Sequence, residues 1–230
     1  KIEGRDDVVG DVLVAADGVH SNIRQALYGP DDRTFSGLIA WRGVIDKAKL
    51  PDEMKRPVGV NWVGPGGHVV HYFVRNGAML NIVGILEKDD WQVESWTAQG
   101  THEECLADFE GWHEAIRETF RHIETPYKWA LMRREPMERW TTGRITLLGD
   151  VCHPMVPMLA QGAVQAIEDG MVLARCLEAW SDNPETALTH YESARLDRTA
   201  RCIRGSNENA DRFHNSQLAD PVVAARYVDE

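Results

Sequence analysis

Residues 144–177, R-I-T-L-L-G-D-V-C-H-P-M-V-P-M-L-A-Q-G-A-V-Q-A-I-E-D-G-M-V-L-A-R-C-L, decide the fold. The largely apolar run 145–148 is short, the pattern of a strand buried in a parallel sheet. Gly149-Asp150 ends it and sets a carboxylate at the strand's carboxyl end, where open α/β sheets bind ligands. Pro154 and Pro157 stiffen the loop that follows and remove two N–H donors. Ala160-Gln161-Gly162-Ala163 then opens a helix with little side-chain bulk. Exposed N–H groups at that positive helix end suit an anionic or carbonyl-rich ligand. Along the helix, Ala166, Ile167, Met171, Ala174 and Leu177 mark the expected buried face, with Glu168-Asp169 on a structural polar face. By themselves these features also describe a strand–loop–helix corner that binds nothing.

Outward from this stretch the same grammar recurs. Residues 11–15 (D-V-L-V-A) form a second apolar, β-branched run, stopped by Asp17-Gly18, and Ser21 is the expected N-cap of a helix containing Arg24. Segments 38–45, 58–63, 68–74 and 78–86 read as strands of an antiparallel sheet, separated by Pro and Gly clusters. In the third of these, His68 and Tyr72 share a face and His71 points the other way. Thr101-His102-Glu103-Glu104 has the form of a capping box. Leu106, Phe109, Trp112, Ile116 and Phe120 follow at helical spacing and read as core, with Gly111 bending or interrupting the helix. Residues 129–132 form a return strand. Asn183-Pro184 supplies an N-cap and a first helical residue, and Tyr191, Glu192, Arg195 and Arg198 read as charged helix packing. From Gly205 onward the chain is polar, and a loose helical tail is expected.

With 230 residues the chain can form one large domain or two small ones. Its formal net charge of −11, from 25 basic and 36 acidic residues, and its lack of basic runs argue against nucleic acid as a partner. No stretch approaches a membrane span, no secretory signal is seen, and the four cysteines lack metal-ligand spacing. A cytoplasmic location with free thiols is expected, with Cys152 used for packing. Ile2-Glu3-Gly4-Arg5 reads either as a hairpin or as an expression-derived tetrapeptide.

The two motifs D-x-L-V-A-A-D-G-V-H-S-N-I-R and R-I-T-L-L-G-D-V-C-H-P-M-V-P-M-L-A-Q-G-A, with A-W-R-G at 40–43 between them, resemble the single-component FAD-dependent aromatic hydroxylases. The likeness is strongest to the salicylate, 3-hydroxybenzoate and 6-hydroxynicotinate hydroxylases. It implies an α/β (α+β) chain: a partial Rossmann-like FAD-binding domain with an inserted antiparallel substrate sheet and C-terminal helices. The implied boundaries are 1–37 (D-G segment), 38–135 (substrate sheet with its covering helix), 136–180 (G-D segment) and 181–230 (C-terminal helices). No G-x-G-x-x-G is present, since Gly64-Pro65-Gly66-Gly67 is a turn without the helix that motif needs. The chain is therefore expected to be the C-terminal portion of such an enzyme, inactive in isolation.

The resemblance also implies roles. FAD would be held by Asp17 near the pyrophosphate, organised through Arg24, and by Asp150 on the ribityl hydroxyls. N–H groups of Gln161, Gly162 and Ala163 would face the negative charge of the reduced ring. Pro154 and Pro157 would wall the flavin against water, Pro154 also bordering the substrate pocket. NADH or NADPH would reduce the flavin, and O2 would form a C4a-hydroperoxide that hydroxylates a phenolic acid. His68, with an ordinary pKa of ~6.5, is the implied base for the phenol, with Tyr72 orienting and Arg42 meeting either the substrate carboxylate, the flavin or a structural ion partner. The expected partners are a small aromatic substrate and O2, with no nucleic acid, no membrane and a homodimer allowed. Three alternatives stay open: another flavoprotein of this fold such as an epoxidase or ubiquinone-pathway hydroxylase, a non-catalytic partner-binding fragment, and a nicotinamide dehydrogenase, the last without a dinucleotide fingerprint.

Overall fold

A computed structural model describes Gly4, Asp6, 8–95 and 97–229, the side chains of 227–229 excepted. Apart from Gly4, the Ile-Glu-Gly-Arg reading lies outside the described residues. In chain order the first elements are β1 (Leu13–Ala15), α1 (Asn22–Tyr28), β2 (Arg33–Asp46), β3 (Val60–Gly64), β4 (Gly67–Val74) and β5 (Met79–Glu87). Then come α2 (His102–Asp108), α3 (Glu114–Arg121), β6 (Tyr127–Arg134), β7 (Thr141–Thr142) and β8 (Ile145–Leu147). Three further helices close the chain: α4 (Gly162–Ala179), α5 (Pro184–Phe213) and α6 (Pro221–Asp229). They divide into two units, one of Lys1–Thr34 with Arg133–Asn209, the other of Phe35–Met132 with Ala210–Glu230.

In the first unit, β1 pairs in parallel with β8, Leu13 opposite Ile145 and Ala15 opposite Leu147, and β7 adds antiparallel to β8. The two runs that read as parallel-sheet strands are thus neighbours. Ser21 caps α1, its Oγ accepting the Arg24 N–H at 3.0 Å. Trp140, Leu147, Val151 and Tyr191 are fully buried between sheet and helices, and the Tyr191 hydroxyl donates to the Leu147 carbonyl at 3.1 Å. Asn183 caps α5 through Oδ1, which accepts the Thr186 N–H at 3.2 Å.

Two expectations for this unit are corrected. The apolar face read on α4 is not its buried face: Ile167 and Met171 are 74% and 61% exposed, and Ala174 is exposed too. Instead Gln165, Asp169, Leu173 and Cys176 turn inward. Arg195 of α5 makes this possible by donating to Asp169 Oδ1 and Gln165 Oε1, each at 2.7 Å, so the inward polar groups are satisfied. The second correction is at Gly205, which does not loosen α5. A Cβ there would lie 3.3 Å from Leu159 Cδ1, so the glycine permits a close approach. The next residue, Ser206, donates its hydroxyl to the Val156 carbonyl, and one turn on Asn209 Nδ2 donates to the Met158 carbonyl at 2.8 Å.

In the second unit five strands run in the order β3-β4-β5-β2-β6, and from β3 to β2 each is antiparallel to its neighbour. One face carries Ile39, Trp41, Val69, Leu80 and Ile82 into a core shared with Phe109, Ile116 and Phe120. The capping box at Thr101 is present: its Oγ1 accepts the Glu104 N–H at 3.1 Å, and Glu104 Oε2 accepts the Thr101 N–H at 2.8 Å. Gly111, at φ +82°, lies between α2 and α3. Phe109 and Phe120 stack with centroids 4.2 Å apart. They press on the strand at Gly84, where a Cβ would lie 2.2 Å from Phe109 Cζ.

Candidate functional site

The first unit presents a polar surface where the G-D turn meets the start of α4. Gly149 takes φ +69°, and a Cβ there would sit 3.2 Å from Ala166 Cβ, so the turn from β8 needs a glycine. Behind it lies a buried hub. Asp169 accepts the Gly149 N–H at 2.9 Å, a hydrogen bond from His153 Nε2 at 2.5 Å and one from Arg195 Nε at 2.7 Å. Burial favours the neutral acid, yet the bonds and charges of His153 and Arg195 outweigh it and hold the Asp169 carboxyl below its ordinary range.

With Asp169 pinning the loop from behind, Asp150 faces solvent. A Cβ built on Gly162 would lie 3.8 Å from Asp150 Oδ1, so the carboxylate stands beside the first turn of α4. That helix has no side-chain N-cap, unlike α1 and α2, which leaves first-turn N–H groups for another acceptor. Ala160 just upstream takes φ +52°, an uncommon conformation for a residue with a Cβ. Gln161 and Gly162 are half-buried, Ala163 and Pro157 exposed and Pro154 buried. An acceptor and a row of donors thus lie together with little bulk over them. This suits a ligand carrying both hydroxyls and a negative or carbonyl oxygen, and FAD has that donor and acceptor pattern.

Arg24 ties the two motif turns together. Its guanidinium donates to the Val151 carbonyl at 3.4 Å and to the Val19 carbonyl at 3.5 Å. The charge expected to organise Asp17 is committed elsewhere, to Asp31 at 2.8 Å. Asp31 also binds Arg134 at 2.8 Å. Burial works against its ionisation, but the Arg134 and Arg24 charges hold its carboxyl low. Asp17 itself is exposed at the end of β1. Arg24, Tyr28, Asp31, Arg134, Cys152 and Pro154 line one cleft.

Cys152, His153 and Asp169 offer ligand atoms within 4.8 Å of one another, all buried. The group is a hydrogen-bond hub and a poor metal centre. The Arg195 cation already sits on Asp169, and burial pushes the Cys152 thiol well above its ordinary range, against the thiolate a metal needs.

In the second unit, register brings three of the sequence-named residues to one face. Val70 on β4 pairs with Val83 on β5, and Val83 pairs with Arg42 on β2. His68 and Tyr72 occupy the rows on either side, paired with Ile85 and Asn81. Two strand spacings, roughly 10 Å, separate β4 from β2. His68, Tyr72 and Arg42 therefore share the face opposite the aromatic core, and His71 lies on the other face beside Trp62, 6.3 Å between ring centres. Arg42 sits 5.0 Å over the Trp129 ring. Tyr72 is 46% exposed and His68 only 2%. Burial, with a contribution from His214, pushes the His68 pKa down to about 3, so the ring is neutral near pH ~7 and not a ready store for a proton.

Two participants went unread in the sequence. His214 lies in the supposed loose tail, yet is buried against His68. Asp31 sits in an ordinary-looking loop. Neither belongs to a periodic or motif pattern, and only folding brings their partners within reach.

Residues 2–206 match the family described as FAD binding domain. The chain is 40% identical over 203 residues to a 3-amino-4-hydroxybenzoate 2-monooxygenase of Streptomyces platensis, which covers 88% of this chain and 51% of that protein. It is 35% identical over 225 residues to a 6-hydroxynicotinate 3-monooxygenase of Pseudomonas fluorescens, covering 91% of this chain and 58% of that one. A solved salicylate hydroxylase in complex with substrate superposes with a TM-score of 0.75 at 25% identity, over 94% of this chain and 61% of the other. The chain spans about half the length of the relatives it matches.

Proposed function

Because the chain belongs to the family of FAD-binding domains, we propose that it forms part of a monooxygenase that uses FAD, NADH or NADPH and O2 to hydroxylate a phenolic aromatic acid. The observation that carries the flavin half is the exposed Asp150 carboxylate beside the uncapped start of α4. The names of the relatives, both aromatic monooxygenases, support the reaction class.

Once bound, and reduced by the nicotinamide, FAD would supply an electrophilic oxygen atom drawn from O2. The chain's own residues bind, orient and exclude water. Asp150 would accept from the ribityl hydroxyls, so that its charge is met by donors. The N–H groups of Gln161, Gly162 and Ala163 stabilise negative charge without reorganising. Pro154 and Pro157 would exclude water, Asp17 would serve the pyrophosphate side, and Arg24 holds both motif turns through carbonyls. On the second unit, His68 accepts the phenolic hydrogen, Tyr72 orients the ring and Arg42 meets the carboxylate. The shared face of these three residues supports that division of roles.

The test is NAD(P)H oxidation by the full-length protein with FAD, across hydroxybenzoates, aminohydroxybenzoates and hydroxynicotinates. We expect at least one phenolic acid to stimulate oxidation and to gain one oxygen atom by mass spectrometry. His68→Ala should slow hydroxylation by about 10²-fold and divert reduced equivalents to hydrogen peroxide. Unchanged coupling in that variant would remove His68 from the site, and failure of the wild type to retain flavin would overturn the reading.

A second reading, a partner-binding module without catalysis, is favoured by the outward Ile167 and Met171 on α4. Titrating FAD into the protein and following the flavin absorbance separates the two.

A further inference from the structure

The second unit contains a linked chain of three titratable side chains. His68 Nδ1 lies 2.8 Å from His214 Nε2, and His214 Nδ1 lies 3.4 Å from Glu87 Oε1. Both imidazoles are buried, at 2% and 6% exposure, whereas the Glu87 side chain is 58% exposed. The backbone holds the arrangement at Gly66, whose N–H donates to the His214 carbonyl at 3.3 Å. The Gly66 carbonyl accepts the Glu87 N–H at 2.8 Å. Phe213 covers the His68 ring at 5.0 Å between centroids.

The order of donors follows from the carboxylate. An ionised carboxylate only accepts, so His214 donates through Nδ1 and keeps a lone pair on Nε2. His68 must then donate from Nδ1, which leaves its Nε2 as the acceptor atom. We infer that Glu87, His214 and His68 form a proton relay leading from His68 Nε2 to solvent, with His214 and Glu87 as positioning residues. That the incoming proton is phenolic rests on the hydroxylase reading above.

In the relay the phenolic O–H bond breaks as His68 Nε2–H forms. His68 Nδ1–H breaks as His214 Nε2–H forms, and His214 Nδ1–H breaks as Glu87 Oε1–H forms. Each ring gains one proton and loses one, so neither becomes a buried imidazolium. The reverse movement, when the product phenolate is reprotonated, resets both tautomers. Burial explains why a single histidine would not serve: it lowers His68 to about 3. Burial is also the largest influence lowering His214, opposed by the Glu87 and Asp211 charges.

The test has two arms. Imidazole nitrogen NMR of the whole chain labelled with 15N-histidine should show His68 and His214 both protonated at Nδ1 near pH 7. Glu87→Gln, at an exposed side chain, should erase that preference in His214. An Nε2–H tautomer for His68 in the wild type overturns the relay whatever the activity shows. In the full-length flavin-loaded enzyme, Glu87→Gln should lower kcat about tenfold at pH 7 with KM unchanged. The loss should disappear towards pH ~10, where a phenol ionises unaided. A loss equal at every pH marks a merely structural role and overturns the relay. Absence of phenol-stimulated oxidation in the wild type overturns the hydroxylase reading instead, because the tautomers are read without turnover.

Discussion

At Asp169 and Arg195 the chain buries opposite charges with almost no exposure, and each holds more than one partner. Removing one member strands the other in a medium that solvates it poorly. Arg195→Leu is expected to lower unfolding free energy by about 3–5 kcal/mol, read from urea melts, and a loss below ~1 kcal/mol would contradict the hub. Its neighbour Glu168 is only partly buried and lies nearer solvent. There the Arg198 hydrogen bond, with help from Arg195, holds the carboxyl down to about 2. A depressed carboxyl contributes stability that is present above its ordinary pKa and is lost as pH falls through the folded value. The thermal midpoint should therefore drop between pH ~4.5 and ~2. Glu168→Gln should flatten that part of the profile, and added salt should weaken the effect.

At the scale of elements, alternation and turn chemistry foretold the sheet well. The strands read at 68–74 and 78–86 are β4 and β5, displaced by no more than a residue at each end. Period two is set by the backbone itself, and Pro and Gly clusters break it locally. The helix α4 does not follow its own local pattern. Its apolar stripe suggested one buried face, but Arg195, from a helix later in the chain, pulls the polar stripe inward. No window of α4 contains that information. Packing of helix on sheet offers a further test at Gly84, pressed by Phe109 and Phe120. Gly84→Ala should cost about 1–3 kcal/mol through overpacking, and denaturant midpoints of the two proteins measure it. A smaller residue at Phe109 in the same chain should recover part of the loss.

For the whole molecule, burial of histidines has a consequence for acid stability. His68, His71 and His214 all have pKa values lowered mainly by burial. The unfolded chain takes up protons near pH ~6.5 at these positions while the folded chain does not, so stability should fall as pH drops below that value. For His68 the fall extends to about 3. His68→Phe should reduce that slope in a series of urea melts, and an unchanged slope would mean the ring is solvated. No helix among the described residues is long and apolar enough to cross a membrane. The sequence by itself determined the strand–turn–helix grammar of both motif segments, the two-faced antiparallel sheet and the sharing of one face by His68 and Tyr72. These follow from backbone periodicity and from glycine and proline, which act over a few residues. Only the tertiary structure decided how Asp150 is presented: an exposed carboxylate at an uncapped helix start, held from behind by Asp169, His153 and Arg195. It likewise decided that His68 is buried and linked through His214 to Glu87. Such assignments depend on desolvation and on charges brought together from distant parts of the chain, and neither quantity is local.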